Sequence, residues 1–136
     1  MASLDSSDKS DKIKELVTEV AALSDLVTAR FDGTNKRTPS FGIAKVGEQP
    51  RVNFAGLPMG HEFTSLILAL LQVSGYAPKV SDEVLAQIKG LNLSSDFDVF
   101  VSLSCHNCPD VVQALNLIAI NNPGTTETMI VGAFFQ

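Results

Sequence analysis

A chain of 136 residues with 45% hydrophobic and 18% charged residues has the length and composition of one globular domain with a core of its own. Its formal net charge of -5 offers no basic field to a phosphate backbone, which argues against nucleic-acid binding. The longest apolar run, Leu66 to Leu71, falls far short of the ~20 residues of a membrane-spanning helix, and Met1 to Asp8 lacks the basic and apolar blocks of a secretory signal, so a cytoplasmic protein without a membrane partner is expected.

Residues 1–8 read as a polar N-terminal segment. Behind it Ile13, Leu16, Val17, Val20, Ala21 and Leu23 recur at helical spacing, which predicts an amphipathic helix over about residues 9 to 23, capped by Ser7 or Ser10. Alternation from Val27 to Phe31 reads as a strand that runs into a turn at Asp32-Gly33-Thr34-Asn35. Two further strands are predicted, Ser40 to Val46 and around Arg51 to Phe54, with Gly47-Glu48-Gln49-Pro50 as the hairpin connection. The loop from Gly56 opens a helix over about Glu62 to Val73 whose apolar residues lie on nearly every face, so it is expected to be covered on more than one side. Ser74-Gly75-Tyr76-Ala77-Pro78 stops it, and Ser81 caps a short helix that Gly90 ends.

The last third reads strand, helix, strand: Phe97 to Leu103, about His106 to Ile120, and Thr125 to Val131. A right-handed crossover would make the two strands parallel neighbours in one sheet. Both cysteines of the chain, Cys105 and Cys108, fall where the first strand meets the helix. Cys105 is expected at the helix N-cap, where unpaired backbone N–H groups and the helix dipole favour a thiolate, and His106 adds positive charge or a hydrogen bond. Cys108 follows one helical turn later, close enough to form a disulfide with Cys105 and to resolve a mixed disulfide that Cys105 makes with a partner.

Two inert structural cysteines are one alternative to this redox reading, and a zinc site drawing on Cys105, Cys108, His61 and His106 is another; no bound metal is expected. Glu62 reads either as a first-turn acid of its helix or as a proton shuttle, if it reaches the sulfurs. Pro39 is either a strand-leading proline or a cis-proline lying beside the dithiol.

Ser102 to Asn116, with its S-C-H-N-C-P-D core, resembles the N-terminal redox domain of the bacterial alkyl hydroperoxide reductase flavoprotein, the F subunit. Gly60-His61-Glu62-Phe63-Thr64-Ser65-Leu66 is a second matching block, and Ile13 to Thr28 and Pro39-Ser40-Phe41 match more loosely. The resemblance implies an α/β, thioredoxin-like fold, a mixed sheet with helices on both faces built from two fused units. The first, over residues 9–90, has no cysteines, and the second, over residues 91–136, carries the C-x-x-C, the whole forming one compact domain.

It further implies thiol–disulfide exchange through a redox-active Cys105–Cys108 disulfide. Electrons would pass from a flavoprotein reductase disulfide to a peroxiredoxin disulfide, with Cys105 as nucleophile, Cys108 as resolving thiol, Glu62 as acid/base, and His106 and Pro39 in support. No dinucleotide fingerprint is present, so FAD and NADH belong to a reductase portion absent from this chain.

Compared with the family, the chain is expected to lack the first strand and helix of the first unit and the closing elements of the second. Two architectures suit what is kept. One is a remnant of the tandem fold, with exposed edges that invite a homodimer. The other is a circularly permuted single unit in which Pro39 takes the place of the family's dithiol-facing proline. The alternative function is a fragment or engineered scaffold that serves only as a folded or partner-binding module.

Overall fold

The computed structural model describes residues 1–33, 38–75, 80–92 and 94–132. The expected turn at Thr34-Asn35, the helix stop at Tyr76-Ala77-Pro78 and the terminal Phe134-Phe135-Gln136 lie outside them.

Helix α1 (Asp8–Ala22) starts on Ser7, whose hydroxyl oxygen accepts the Ser10 N–H. Asp5 braces this cap: its carboxylate accepts from the Ser7 hydroxyl, from the Ser7 N–H at 2.9 Å and from the Ser10 hydroxyl at 2.8 Å, which holds its pKa well below the usual carboxylate range. Asp8 and Asp11 occupy the first turn, where the helix dipole favours them.

Among the described residues five strands form one sheet: β1 (Ala2–Ser3), β2 (Ser40–Ile43), β3 (Val52–Ala55), β4 (Ser95–Val101) and β5 (Thr125–Val131), in the order β1-β2-β3-β5-β4. The β1–β2 and β2–β3 pairs are antiparallel, and β3–β5 and β5–β4 are parallel. The mixed thioredoxin-like sheet and the parallel crossover thus agree with the sequence reading.

The polar N-terminal segment joins the sheet: Ala2 is fully buried in β1, and the Met1 ammonium donates to the Gly42 carbonyl at 2.8 Å. One local expectation is corrected. Val27 to Phe31 is not a strand. It runs irregularly beside β1, held by Ala2 N–H to Arg30 O at 2.7 Å and Gly33 N–H to Ala2 O at 2.9 Å. Its alternation reports half-burial, whereas a strand needs a continuing ladder.

Phe41 pairs with Phe54, Phe54 with Met129 and Met129 with Val99, so these side chains line one face of the sheet with Val52, Val101 and Val131. Helix α1 brings Ile13 and Leu16 to this cluster, α2 (Phe63–Val73) brings Leu66 and Ala69, and α4 (Cys108–Asn121) brings Val112 and Ala119. The Phe41 and Phe54 rings stack at 5.3 Å. Between α2 and β4, α3 (Asp82–Gly90) starts on Ser81, which accepts the Val84 N–H at 3.3 Å. Asn122 fastens α3 to the α4–β5 turn, its amide donating to the carbonyls of Ile88 and Leu91 at 2.9 and 2.8 Å while its oxygen accepts the Gly124 N–H.

The sheet order decides between the two expected architectures. A permuted single unit needs the strand after Pro39 to lie beside the dithiol strand, but β3 and β5 stand between β2 and β4. The strands β1-β2-β3 and β5-β4 are instead joined through the parallel β3–β5 pair, the side-by-side arrangement expected of the tandem fold.

Candidate active site

The dithiol turn is built at the C-terminal end of β4. The Cys105 N–H donates to the Ser102 carbonyl at 3.0 Å, closing a turn directly behind the strand. Because this turn takes up the Cys105 N–H, α4 starts three residues later at Cys108, with Asn107 at its N-cap. Cys105 therefore lies ahead of the helix and not at the N-cap, a correction to the expected placement. Pro109 fits in the first turn, where its missing N–H costs no intrahelical bond.

Cys105 and Cys108 are joined in a disulfide with their Cα atoms 5.5 Å apart. Both are half-buried, and Cys108 packs against the hydrophobic cluster while His106 is exposed. The packing distinguishes the two sulfurs: Cys108 lies against the core cluster, and Cys105 stands ahead of the helix.

A second turn meets the first. Gly60 to Glu62 forms one turn of 3-10 helix ahead of α2. Gly60 has φ of 59°, a left-handed conformation, and a Cβ there would lie 3.0 Å from the Leu103 carbonyl oxygen, so only glycine lets this turn close on the loop between β4 and Cys105. His61 and His106 touch across the contact, with ring centroids 4.6 Å apart. Glu62 points inward with no solvent exposure. Its Oε1 accepts from the Ser65 hydroxyl at 2.8 Å, and Ser65 Oγ in turn accepts from Gln113 Nε2 of α4 at 3.2 Å. Burial raises the Glu62 pKa, against the opposing Ser65 hydrogen bond and the charge of His61.

Glu62, His106, Cys105 and Cys108 are thus carried on two abutting turns. Pro39 is not among them: its peptide bond with Thr38 is cis, but it leads into β2, with β3 and β5 between it and the dithiol strand. No group of three or more His, Cys, Asp or Glu is placed to hold a metal ion among the described residues.

Sequence reasoning missed Ser65, Gln113 and Glu127. Glu127 is fully buried in β5, in phase with Met129 and Val131, and that phase is the signal that could have singled it out.

The arrangement defines a thioredoxin-like dithiol–disulfide module, with a C-x-x-C between a parallel strand and a helix and a buried carboxyl on the neighbouring turn. No family model matches the chain. The alkyl hydroperoxide reductase F subunit of Staphylococcus epidermidis is 53% identical over all 136 residues, and that of Pseudomonas putida 52%. The solved F subunit of the Enterococcus faecalis alkyl hydroperoxide reductase, a C503A mutant, superimposes with a TM-score of 0.88 at 31% identity, over 98% of this chain and 70% of that one. A protein disulfide oxidoreductase from Aeropyrum pernix shares the fold, with a TM-score of 0.67 at 16% identity. The chain belongs to the family of alkyl hydroperoxide reductase F subunits. It spans 27% of the length of its Staphylococcus epidermidis relative.

The flavin and nicotinamide that the family implies do not fit the residues present. The helix N-termini after β3 and β4 carry Met59-Gly60-His61-Glu62 and Cys105-His106-Asn107-Cys108 in place of a glycine-rich turn.

Proposed function

We propose that this chain is a thiol–disulfide relay in peroxide detoxification, taking two electrons from the dithiol of a flavoprotein reductase domain and passing them to the disulfide of a peroxiredoxin. The observation that carries the reading is the Cys105–Cys108 disulfide at the strand–helix turn, closed over by Gly60 to Glu62. The names of the relatives support it, and a cytoplasmic setting suits both partners. FAD and NADH are assigned to the reductase partner.

In the reduced state the Cys105 thiolate attacks a sulfur of the partner disulfide, forming a Cys105–partner disulfide and releasing the partner's other sulfur as a thiolate. Glu62 then accepts the proton of Cys108, whose sulfur attacks Cys105 Sγ. The Cys105–Cys108 bond forms, the mixed disulfide breaks, and the partner leaves as a dithiol with the two electrons. A reductase dithiol restores the starting state by the same exchange in reverse. The position of Cys108 at the first turn of α4 favours its thiolate in this second step.

The test is thiol release from the reduced chain mixed with an oxidised peroxiredoxin, for wild type and Cys105→Ser. Rapid release that the substitution abolishes is expected. Equal, background release from both would reduce the chain to a folded module without redox activity.

A further inference from the structure

Among the described residues, the buried side-chain polar atoms without a hydrogen-bond partner include Glu62 Oε2, both amide atoms of Asn116 and both carboxyl oxygens of Glu127. These three residues stand on α2's entry turn, α4 and β5. Glu127 lies opposite Val52 of β3 and Phe97 of β4, on the face that α2 and α4 cover. Asn116 belongs to the buried stripe of α4, between Val112 and Ala119. Glu62 is tied to the same helix through Ser65 and Gln113. A polar seam therefore runs from the dithiol end of the sheet into the core, between α2, α4 and β5.

Among the described residues no cation compensates it. Arg51, at the start of β3, donates to the Ile120 carbonyl at 3.1 Å, Lys89 of α3 is exposed, and His61 and His106 stand exposed at the rim. Asp96 and Asp98 of β4 and Asp110 of α4 add negative charge. Burial above all, and then the charges of Glu62 and Asp98, push Glu127 up to about 8, so it keeps its proton at neutral pH. An unpaired carboxyl in a core is costly, and an apolar residue of similar size would pack there without that cost.

We propose that Glu127 is a positioning residue for the dithiol reaction, a buried carboxyl that acts through Glu62 and sets the pH above which exchange is held back. While neutral, it leaves Glu62 free to ionise and take the Cys108 proton. Once ionised, it places a second negative charge in the seam, which opposes the Cys108 thiolate and tightens the hold of Glu62 on any proton it has. The inference rests on the reading of Glu62 as the base.

The experiment follows the second, resolving step of exchange between the reduced chain and an aromatic disulfide from pH 6 to 9.5, for wild type, Glu127→Gln and Glu127→Asp. The thiolate fraction rises with pH in all three, so the informative quantity is the ratio of rates. Glu127→Gln over wild type is expected to stay within about twofold near pH 6.5 and to rise several-fold by pH 9, since one pKa unit of opposition is worth about tenfold. Glu127→Asp should follow wild type. A ratio that is flat across the range, or depressed equally at every pH, overturns the inference.

Carboxyl NMR reads the coupling without activity: the Glu127 midpoint is expected to fall in Glu62→Gln, and an unchanged midpoint overturns the inference. If the wild type proves inactive while the midpoint moves, the relay reading has failed and the coupling stands.

Discussion

The four described helices begin in two different ways. Ser7 and Ser81 cap α1 and α3 with their side chains, satisfying N–H groups that would otherwise lack partners. Helices α2 and α4 have no side-chain cap: Glu62 and Asn107 stand at their N-caps with helical backbone angles, and neither side chain caps a backbone N–H of the turn behind it. These two N-termini meet at the candidate site, through Gly60 against Leu103 and His61 against His106. The capped pair ends in satisfied N–H groups away from the site, whereas the uncapped pair leaves its N-terminal N–H groups without side-chain acceptors beside Glu62 and the Cys105–Cys108 disulfide.

Loss of the nucleophile should have the largest effect. Cys105→Ser is expected to lower exchange by about 10³-fold or more, because the sulfur placed to meet a partner is gone and Cys108 is rooted in the core. Pre-steady-state thiol release reads this, and an unchanged rate would mean that Cys108 is the attacking sulfur. Next comes the other uncapped turn. Glu62→Gln keeps the Ser65 contact sterically but removes the base, and should slow the resolving step by about 10²-fold while leaving the first attack within a few-fold. Trapped mixed disulfide, visible by mass, separates the two steps. If it does not accumulate, Glu62 is a structural acid.

The pH dependence of stability follows from Glu127. Its folded-state pKa of about 8 stands above an unfolded value near 4.3, so its contribution is fully present below about pH 4.3 and is lost as pH rises through about 8. In that window the wild type should lose up to about 1.4 kcal/mol per pH unit relative to Glu127→Gln, read from urea midpoints. Parallel midpoints for the two proteins would show that Glu127 titrates normally. Gly60→Ala is expected to cost about 1–2 kcal/mol for its left-handed backbone. It should also slow exchange, because the new Cβ presses on the Leu103 carbonyl. A stability loss with unchanged exchange would mean that the two turns can separate without harm to the chemistry.

Much of this contrast was legible in the residues, and what was not has physical causes. The bounds of β5 could be read because Thr125 to Val131 is rich in β-branched residues and Pro123-Gly124 sets its start. Ser7 and Ser81 could be read as caps because each precedes an acidic first turn. Strand β1 escaped because two residues carry no period, and their burial is decided by partners far along the chain. Val27 to Phe31 misled because half-burial alternates whether or not a ladder forms. Residue pattern fixes which face a strand presents but not which strand lies beside it, so the distance between Pro39 and the dithiol could be known only from the sheet order. The same limit hid the seam: Glu62 and Glu127 are 65 positions apart, and only the packing of α2 and α4 on β5 brings their elements together.

The smallest expected effect is the sharpest test of the contrast between the helix ends. Ser7→Ala removes the side-chain cap of α1, together with the Ser7 hydroxyl's bond to Asp5, and leaves the Ser10 N–H without its side-chain acceptor. Loss of such a cap costs about 1 kcal/mol. Because α1 packs on β2, and β3 and β5 stand between β2 and the dithiol strand, the substitution should lower the urea midpoint and leave the thiol-release rate and its pH profile at wild-type values. If helix caps were interchangeable supports for a single rigid body, exchange would fall in step with stability. A midpoint that drops while exchange holds would show that the uncapped helix ends alone set the chemistry.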